Sequence, residues 1–358
     1  MTTRQYVLPV DQTQWELTTG STVVFNWDYD PQRSDLLRLY EKGKDLQWNT
    51  SQRLDWAQDV DPQNPLSLAD EVTPFYGTPV WAQMDDKGHA EIKRHLAAWQ
   101  FSQFLHGEQG ALVCTARIVE CVPLLDAKFY AATQVMDEAR HVETYSRFLR
   151  EKIGFAYPIN PHLKTLLNQV LSDGRWDMIY LGMQILIEGL ALAAFNITRD
   201  LAQNPLVRAL NAYVMQDEAR HVAFGRMALR AYYPQLSERE REEREEFVVE
   251  SSYLMRERFL GEEVWQHLGF GNEDCKRYVF ESLMMREYRR MLFSRIVPLI
   301  KDIGLWGGRV RKAYEDMGVL MFEHLDPETQ SVADEQIALQ IDAARQAGSG
   351  ALQTAASV

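Results

Sequence analysis

The five residues Asp-Glu-Ala-Arg-His occur twice, as Asp137-Glu138-Ala139-Arg140-His141 and as Asp217-Glu218-Ala219-Arg220-His221. A lone acidic residue precedes each copy by the same distance, Glu108 thirty positions before Glu138 and Glu188 thirty before Glu218. Residues three apart on an α-helix share a face about one turn along the axis, so each Glu-x-x-His presents a carboxylate and an imidazole to one point. Two such helices, with two more that give one glutamate each, supply six ligands to a pair of metal ions inside a four-helix bundle. Four buried glutamates carry about four negative charges, which a dry interior does not tolerate without counter-ions; two divalent cations cancel them. Oxygen and imidazole donors without thiolate favour iron or manganese over a cysteine-rich structural zinc site.

The residues around each ligand place it on a core stripe. Phe101, Phe104, Leu105, Ala111 and Leu112 flank Glu108 at helical spacing, and Leu181, Ile185, Ala191, Leu192 and Phe195 flank Glu188, interrupted by Gln184. Glutamate on an apolar stripe needs a partner, and neither helix provides one. A single Glu-x-x-His would be explained by a surface ion pair; two copies, each with its upstream glutamate, are not. The charged run from Ser237 to Glu246 reads differently: it has charges on every face and a capping-box spacing at Ser237 and Glu240, a solvated helix start.

Stepping outward, the elements that must carry these ligands are helices. Periodicity and the placement of Pro and Gly predict helical stretches at 34–58, 87–119, 124–153, 162–172, 176–203, 205–232, 238–268, 274–302 and 308–323. Residues 1–33 read as an extended segment with a short strand at 22–25, residues 34–325 as one helical domain, and residues 326–358 as a C-terminal helix with a flexible tail from Gln346. Aligning 137–150 with 217–230 also pairs Leu149 with Leu229 and Arg150 with Arg230, and upstream Ala111-Leu112 with Ala191-Leu192. The eighty-residue offset predicts two similar helical hairpins packed antiparallel about a pseudo-two-fold axis, with the helix at 162–172 in the connection between them.

Composition narrows the class. A chain of 358 residues with a formal net charge of −13 and no basic stripe is not a nucleic-acid binder. No signal-like segment and no apolar run long enough to span a bilayer is evident, so a cytoplasmic protein is expected. Cys114, Cys121 and Cys275 have no metal-finger spacing and read as small core residues.

The chain resembles the ferritin-like di-iron carboxylate proteins. Its ligand order is similar to that of ribonucleotide reductase small subunits, soluble acyl-carrier desaturases and bacterial multicomponent monooxygenases, the last of which favour Asp-Glu-x-Arg-His. Leu39-Tyr40-Glu41-Lys42-Gly43-Lys44, Trp48 and Asp55-Trp56 are similar to the amino-terminal segment of the reductase small subunits and related ligand-binding oxidases. The resemblance covers roughly residues 35 to 235 and implies an all-α, ferritin-like four-helix bundle with additional helices. It implies that Glu108, Glu138 and His141 serve one metal and Glu188, Glu218 and His221 the other, with some glutamates bridging. Asp137 and Asp217 resemble aspartates that hydrogen-bond ligand histidines, Arg140 and Arg220 would neutralise them, and Gln184 stands beside that set.

The implied activity is that of an O2-activating di-iron oxygenase or oxidase hydroxylating or desaturating a small hydrophobic molecule. The alternatives are a reductase-like radical protein, a ligand-binding oxidase, or a ferroxidase. The implied cofactor is two iron ions, with Mn/Fe or Mn/Mn as variants, and O2 as co-substrate. With no flavin, haem or iron–sulfur motif, electrons must come from a ferredoxin, a reductase or the substrate; a homodimer is the expected assembly. Phe101, Phe104, Tyr145, Phe195 and Phe224 are expected to line an apolar cavity beside the metals. Departures are specific: Tyr145 stands where reductases place a radical tyrosine, with Gly225 at the equivalent place in the second repeat. Leu192 replaces the monooxygenase threonine, and Val214 the third histidine of arylamine N-oxygenases.

Overall fold

The computed structural model describes residues 5–6, 15–20 and 22–355, without the side chains of 5–6 and 346–355. Nine helices organise it: α1 (Ser34–Asp45), α2 (Asp86–Cys121), α3 (Leu125–Phe148), α4 (Pro161–Ser172), α5 (Trp176–Leu201), α6 (Pro205–Tyr232), α7 (Glu238–Arg258), α8 (Phe293–Asp302) and α9 (Pro327–Ala355). Shorter helices fill the connections. Helices α2 and α3 form one antiparallel hairpin and α5 and α6 the second; α4 lies in the connection between them.

Local chemistry sets the boundaries. Asp85 caps α2 by accepting from Gly88 N, Asn160 caps α4, and Asn204 caps α6 with Pro205 in its first turn, where a missing N–H costs nothing. Ser237 and Glu240 form the expected reciprocal capping box of α7. Helix α3 runs into a wide turn at Leu149–Ile153 and stops at Gly154, whose φ of 93° suits glycine. Helix α5 contains a second wide turn, Leu181–Ile187, immediately before Glu188.

Several expectations are corrected. The stretch 34–58 is broken after Asp45, because Asn49 caps a separate short helix, Thr50–Arg53. The stretch 238–268 breaks at Phe259–Gly261, where Gly261 has a φ of 63°. The stretch 274–302 is three helices, Glu273–Glu281, Leu283–Met291 and α8. Residues 22–25 form no strand: Val24 N donates instead to Glu120 O at the end of α2, so the extended chain is tied to a helix terminus. The strand pair among the described residues is Gln5–Tyr6 with Phe155–Ala156, parallel. Residues 356–358 of the expected flexible tail lie outside the described residues, and the backbone of α9 extends to Ala355.

Helix α5 is long and apolar enough to cross a membrane by length and composition, contrary to the sequence reading, and 94% of its apolar window is buried inside the protein. Its character follows from its place in the bundle: α6, α7 and α8 surround it, so it has no solvent face to make polar. Cys114, Cys121 and Cys275 are buried free thiols, as expected.

Candidate metal centre

The six ligand candidates converge. Glu108, Glu138, His141 and Glu218 bring one ligand atom each to within 4.8 Å of one another, and so do Glu138, Glu188, Glu218 and His221. Glu138 and Glu218, the glutamates of the repeated motif, belong to both groups and stand where a bridging ligand would; Glu108 with His141 and Glu188 with His221 occupy the two flanks. His141 Nδ1 lies 3.2 Å from Glu108 Oε2 and 3.0 Å from Glu218 Oε1, while His221 Nδ1 lies 3.1 Å from Glu138 Oε1. All six side chains are buried. The residues fit a pair of divalent ions: Glu188 Oε2 and Glu218 Oε2 are buried with no hydrogen-bond partner among the described residues, and four carboxylates face two imidazoles. Burial, then the charge of Glu218, pushes the Glu108 carboxyl well up; burial, then Glu218 and Glu138, does the same to Glu188. Burial opposes ionisation of Glu138 too, but His221 and His141 outweigh it and hold that carboxyl low. Cations would remove this conflict.

Asp137 and Asp217 do face the ligand histidines, but in exchange. His141 Nε2 is 3.1 Å from Asp217 Oδ2, and His221 Nε2 is 3.2 Å from Asp137 Oδ2, so each repeat's aspartate orients the other repeat's imidazole. Arg140 donates to Asp137 and, at 2.8 Å, to Asp217; Arg220 donates to Asp217 at 2.6 Å and to Asp137 at 3.4 Å. Although burial opposes it, Arg220 and Arg140 with His141 hold the Asp217 carboxyl well below its usual range. The segment after α1 completes the network: Gln47 Nε2 donates to Asp137 Oδ1 (2.7 Å) and Trp48 Nε1 to Asp217 Oδ2 (2.7 Å). Above them opens a groove of about 920 Å³ lined by Tyr40, Lys44, Trp48, Phe129, Met136 and Arg140.

Along the bundle axis the centre has two unlike sides. On one, Phe101, Phe104, Tyr145 and Phe195 pack ring against ring, with centroids 4.6 to 5.8 Å apart. Tyr145 OH donates to Asn211 Oδ1 at 3.3 Å, and burial, then Glu108 and Glu218, pushes its phenol well up. On the other stand Tyr130, Gln134, Tyr180 and Gln184, with Phe224 between the two tyrosine rings. The expected cavity of five aromatic residues is therefore not formed: four pack together as core and Phe224 lies on the opposite side. An apolar cavity of about 90 Å³ opens further along α2 and α5, lined by Trp99, Ile197, Phe259, Trp265 and Tyr288.

Gln134 and Gln47 were not singled out from sequence. Gln134 Nε2 donates to both Glu138 Oε1 (3.1 Å) and Glu188 Oε1 (3.0 Å), tying the two halves. Its signal was available: Gln134 precedes Glu138 by four residues, as Gln184 precedes Glu188. Gln47 offers none, since it reaches Asp137 from a loop.

Residues 30–304 match the p-aminobenzoate N-oxygenase AurF family, and the chain belongs to it. It is thereby a di-iron-type oxygenase or oxidase of the ferritin-like class, with two metal ions (iron, iron and manganese, or manganese) as cofactor and O2 as co-substrate. Among solved structures, one variant of an R2-like ligand-binding oxidase with an anaerobically reconstituted Mn/Fe cofactor is 18% identical, covers 76% of this chain and 94% of its own, and has a TM-score of 0.49. Another variant described in the same words is 19% identical over the same shares, with a TM-score of 0.46. No curated protein matched the chain.

Proposed function

We propose that this chain oxidises a small, predominantly apolar organic molecule at a C–H bond, by hydroxylation or desaturation, with electrons from an external ferredoxin or reductase. The observation that carries the reading is the buried six-residue cluster, with packed aromatic rings on one side and an apolar cavity beyond them. When bound, the iron pair supplies dioxygen reduction. The chain's own residues do the rest: Glu138 and Glu218 would serve both positions, Asp217 and Asp137 fix the imidazoles of His141 and His221, and Arg140 and Arg220 pair with those aspartates. The rings of Phe101, Phe104 and Phe195 exclude water. Tyr145, bonded to Asn211 and touching three of these rings, is the phenol nearest this reaction side and the residue we assign to any radical step.

N-oxygenation of an arylamine is the second reading, favoured by the description of the family. Val214, buried where arylamine N-oxygenases add an imidazole, keeps C–H oxidation ahead. The test is to load the protein anaerobically with two ferrous ions per chain, add a reductant, 18O2 and a panel of apolar hydrocarbons and arylamines, and identify products by mass. Oxygen label or a new double bond in a hydrocarbon supports the reading; label only in arylamines favours the second; iron oxidation without any organic product overturns both.

A further inference from the structure

Helices α3 and α5 carry the same spaced triplet, Tyr130-x3-Gln134-x3-Glu138 and Tyr180-x3-Gln184-x3-Glu188. Residues four apart lie on one face, so each helix stacks phenol, amide and ligand carboxylate along one edge. The two edges face each other: Gln134 reaches Glu188 on the other helix, and Tyr130 and Tyr180 lie on the same Phe224 ring, with centroids 4.5 and 5.0 Å away. Gly225 is what lets Gln184 in, because a Cβ there would sit 2.5 Å from the Gln184 Cβ. All four polar side chains are fully buried. Among the described residues Tyr130 OH, Tyr180 OH, Gln134 Oε1 and both ends of the Gln184 amide have no hydrogen-bond partner. Buried polar atoms are almost always satisfied, by protein or by ordered water.

The partners they call for are neutral, small and able both to donate and to accept. The four groups are uncharged phenols and amides that offer both donors and acceptors, which suits water, and their full burial suits a small occupant. The ladder also has an outer end: Arg33, part-exposed beside α1, donates to Met227 O at 3.4 Å, one turn along α6 from the Phe224 ring on which Tyr180 lies. The loop there is pinned by Asp126, which accepts from Gln32 N (2.9 Å) and Arg33 N (2.7 Å).

We propose that Tyr130, Gln134, Gln184 and Tyr180 hold a file of buried water molecules that carries protons from the Arg33 end of the bundle to the ligand carboxylates. Its use rests on the oxygenase reading, in which RH, O2, two electrons from the external donor and two protons from solvent give ROH and H2O. The external donor supplies the two electrons, and the file supplies the two protons. The phenols relay a proton by accepting from one water and donating to the next without ionising, while the glutamine amides orient the waters between them.

The experiment uses the full chain with Tyr130→Phe, Tyr180→Phe and Gln184→Met, each keeping the packing volume, and checks that each variant still binds two irons. A high-resolution crystal structure of the metal-free protein is expected to hold ordered waters within hydrogen-bond distance of Tyr130, Gln184 and Tyr180. In the metal-free protein each variant is expected to lower Tm by about 2–4 °C, since each strands a water. With iron and reductant, each is expected to raise the share of consumed O2 released as hydrogen peroxide at least 5-fold. A dry interior, or a raised Tm on removing the hydroxyls, overturns the file. Ordered waters with unchanged peroxide release in all three variants overturn its role in proton supply. Failure of the native protein to consume O2 would sink the oxygenase reading instead, and the crystallographic and thermal results would still decide the file.

Discussion

The two sides of the metal centre are built from one duplicated scaffold and share almost nothing else. At the eighty-residue offset Gln134 corresponds to Val214, Gln184 to Phe104 and Tyr145 to Gly225. The six candidate ligands are kept in both copies, while these three neighbours one turn away have diverged, so that the two glutamines fall on one side and Phe104 and Tyr145 on the other. The contrast teaches that the duplication sets where metals bind, and the neighbours four residues off set what each side of the metals offers to a reactant.

The largest expected break concerns the ligands. Glu138→Ala or Glu218→Ala should lose both irons, since these carboxylates belong to both groups, whereas Glu108→Ala or Glu188→Ala should lose one; iron per chain by elemental analysis decides. Equal losses from all four variants would contradict the shared role. Next comes the exchange of aspartates between repeats. Asp217→Asn should weaken iron affinity about 10–100-fold, and the affected ion should be the one beside His141, in the other repeat. A chemical-shift or Mössbauer change confined to the His221 side would show the exchange to be wrong.

A smaller effect separates the two sides by packing. Gly225→Ala should cost about 1–3 kcal/mol of stability, because its Cβ meets Gln184 within a filled core. Tyr145→Phe on the ring side should cost about 1 kcal/mol, the worth of one hydrogen bond to Asn211. Denaturant unfolding of the metal-free variants ranks them, and the reverse order would mean that the polar side is the looser one.

The smallest effect is a control far from both. Burial, then the neighbouring His267, pushes the His95 imidazole down to about 4. It sits 2.8 Å from Tyr157 OH. The folded state thus holds His95 neutral where the unfolded chain protonates it. Its contribution is intact above the ordinary histidine value of about 6.5 and is lost as pH falls from there toward 4. His95→Gln should flatten the loss of Tm in that window without changing iron content.

The convergence of the six candidate residues and the hairpin order were legible because spacing alone fixes them: a Glu-x-x-His pair cannot point two ways on a helix. The exchange between Asp137 and Asp217 was not, since the two copies are identical in sequence and only the antiparallel packing of α3 against α6 decides which aspartate meets which imidazole. The wide turn at Leu181–Ile187 left no mark either, because it contains no proline and its one glycine, Gly182, sits against Val170. Breaks at Ser282 and Leu292 were missed for the same reason: neither Gly nor Pro stands there. The aromatic cavity failed on direction, because periodicity places Phe224 on the ligand stripe without saying on which side of the metals it falls.

Helix α5 has one further consequence, for the order in which the protein is made. This helix of 26 residues, with an apolar window fit by composition for a lipid bilayer, leaves the ribosome after α2–α4 and before α6, α7 and α8. Until those follow, its sticky surface can be covered only by the first hairpin. Synthesis therefore passes through a stage in which a half-built bundle must shelter a segment that a membrane-insertion machine or an aggregating neighbour would also accept. The ion pair between Arg244 of α7 and Asp177 near the start of α5, at 3.0 Å, is among the bonds that close that stage.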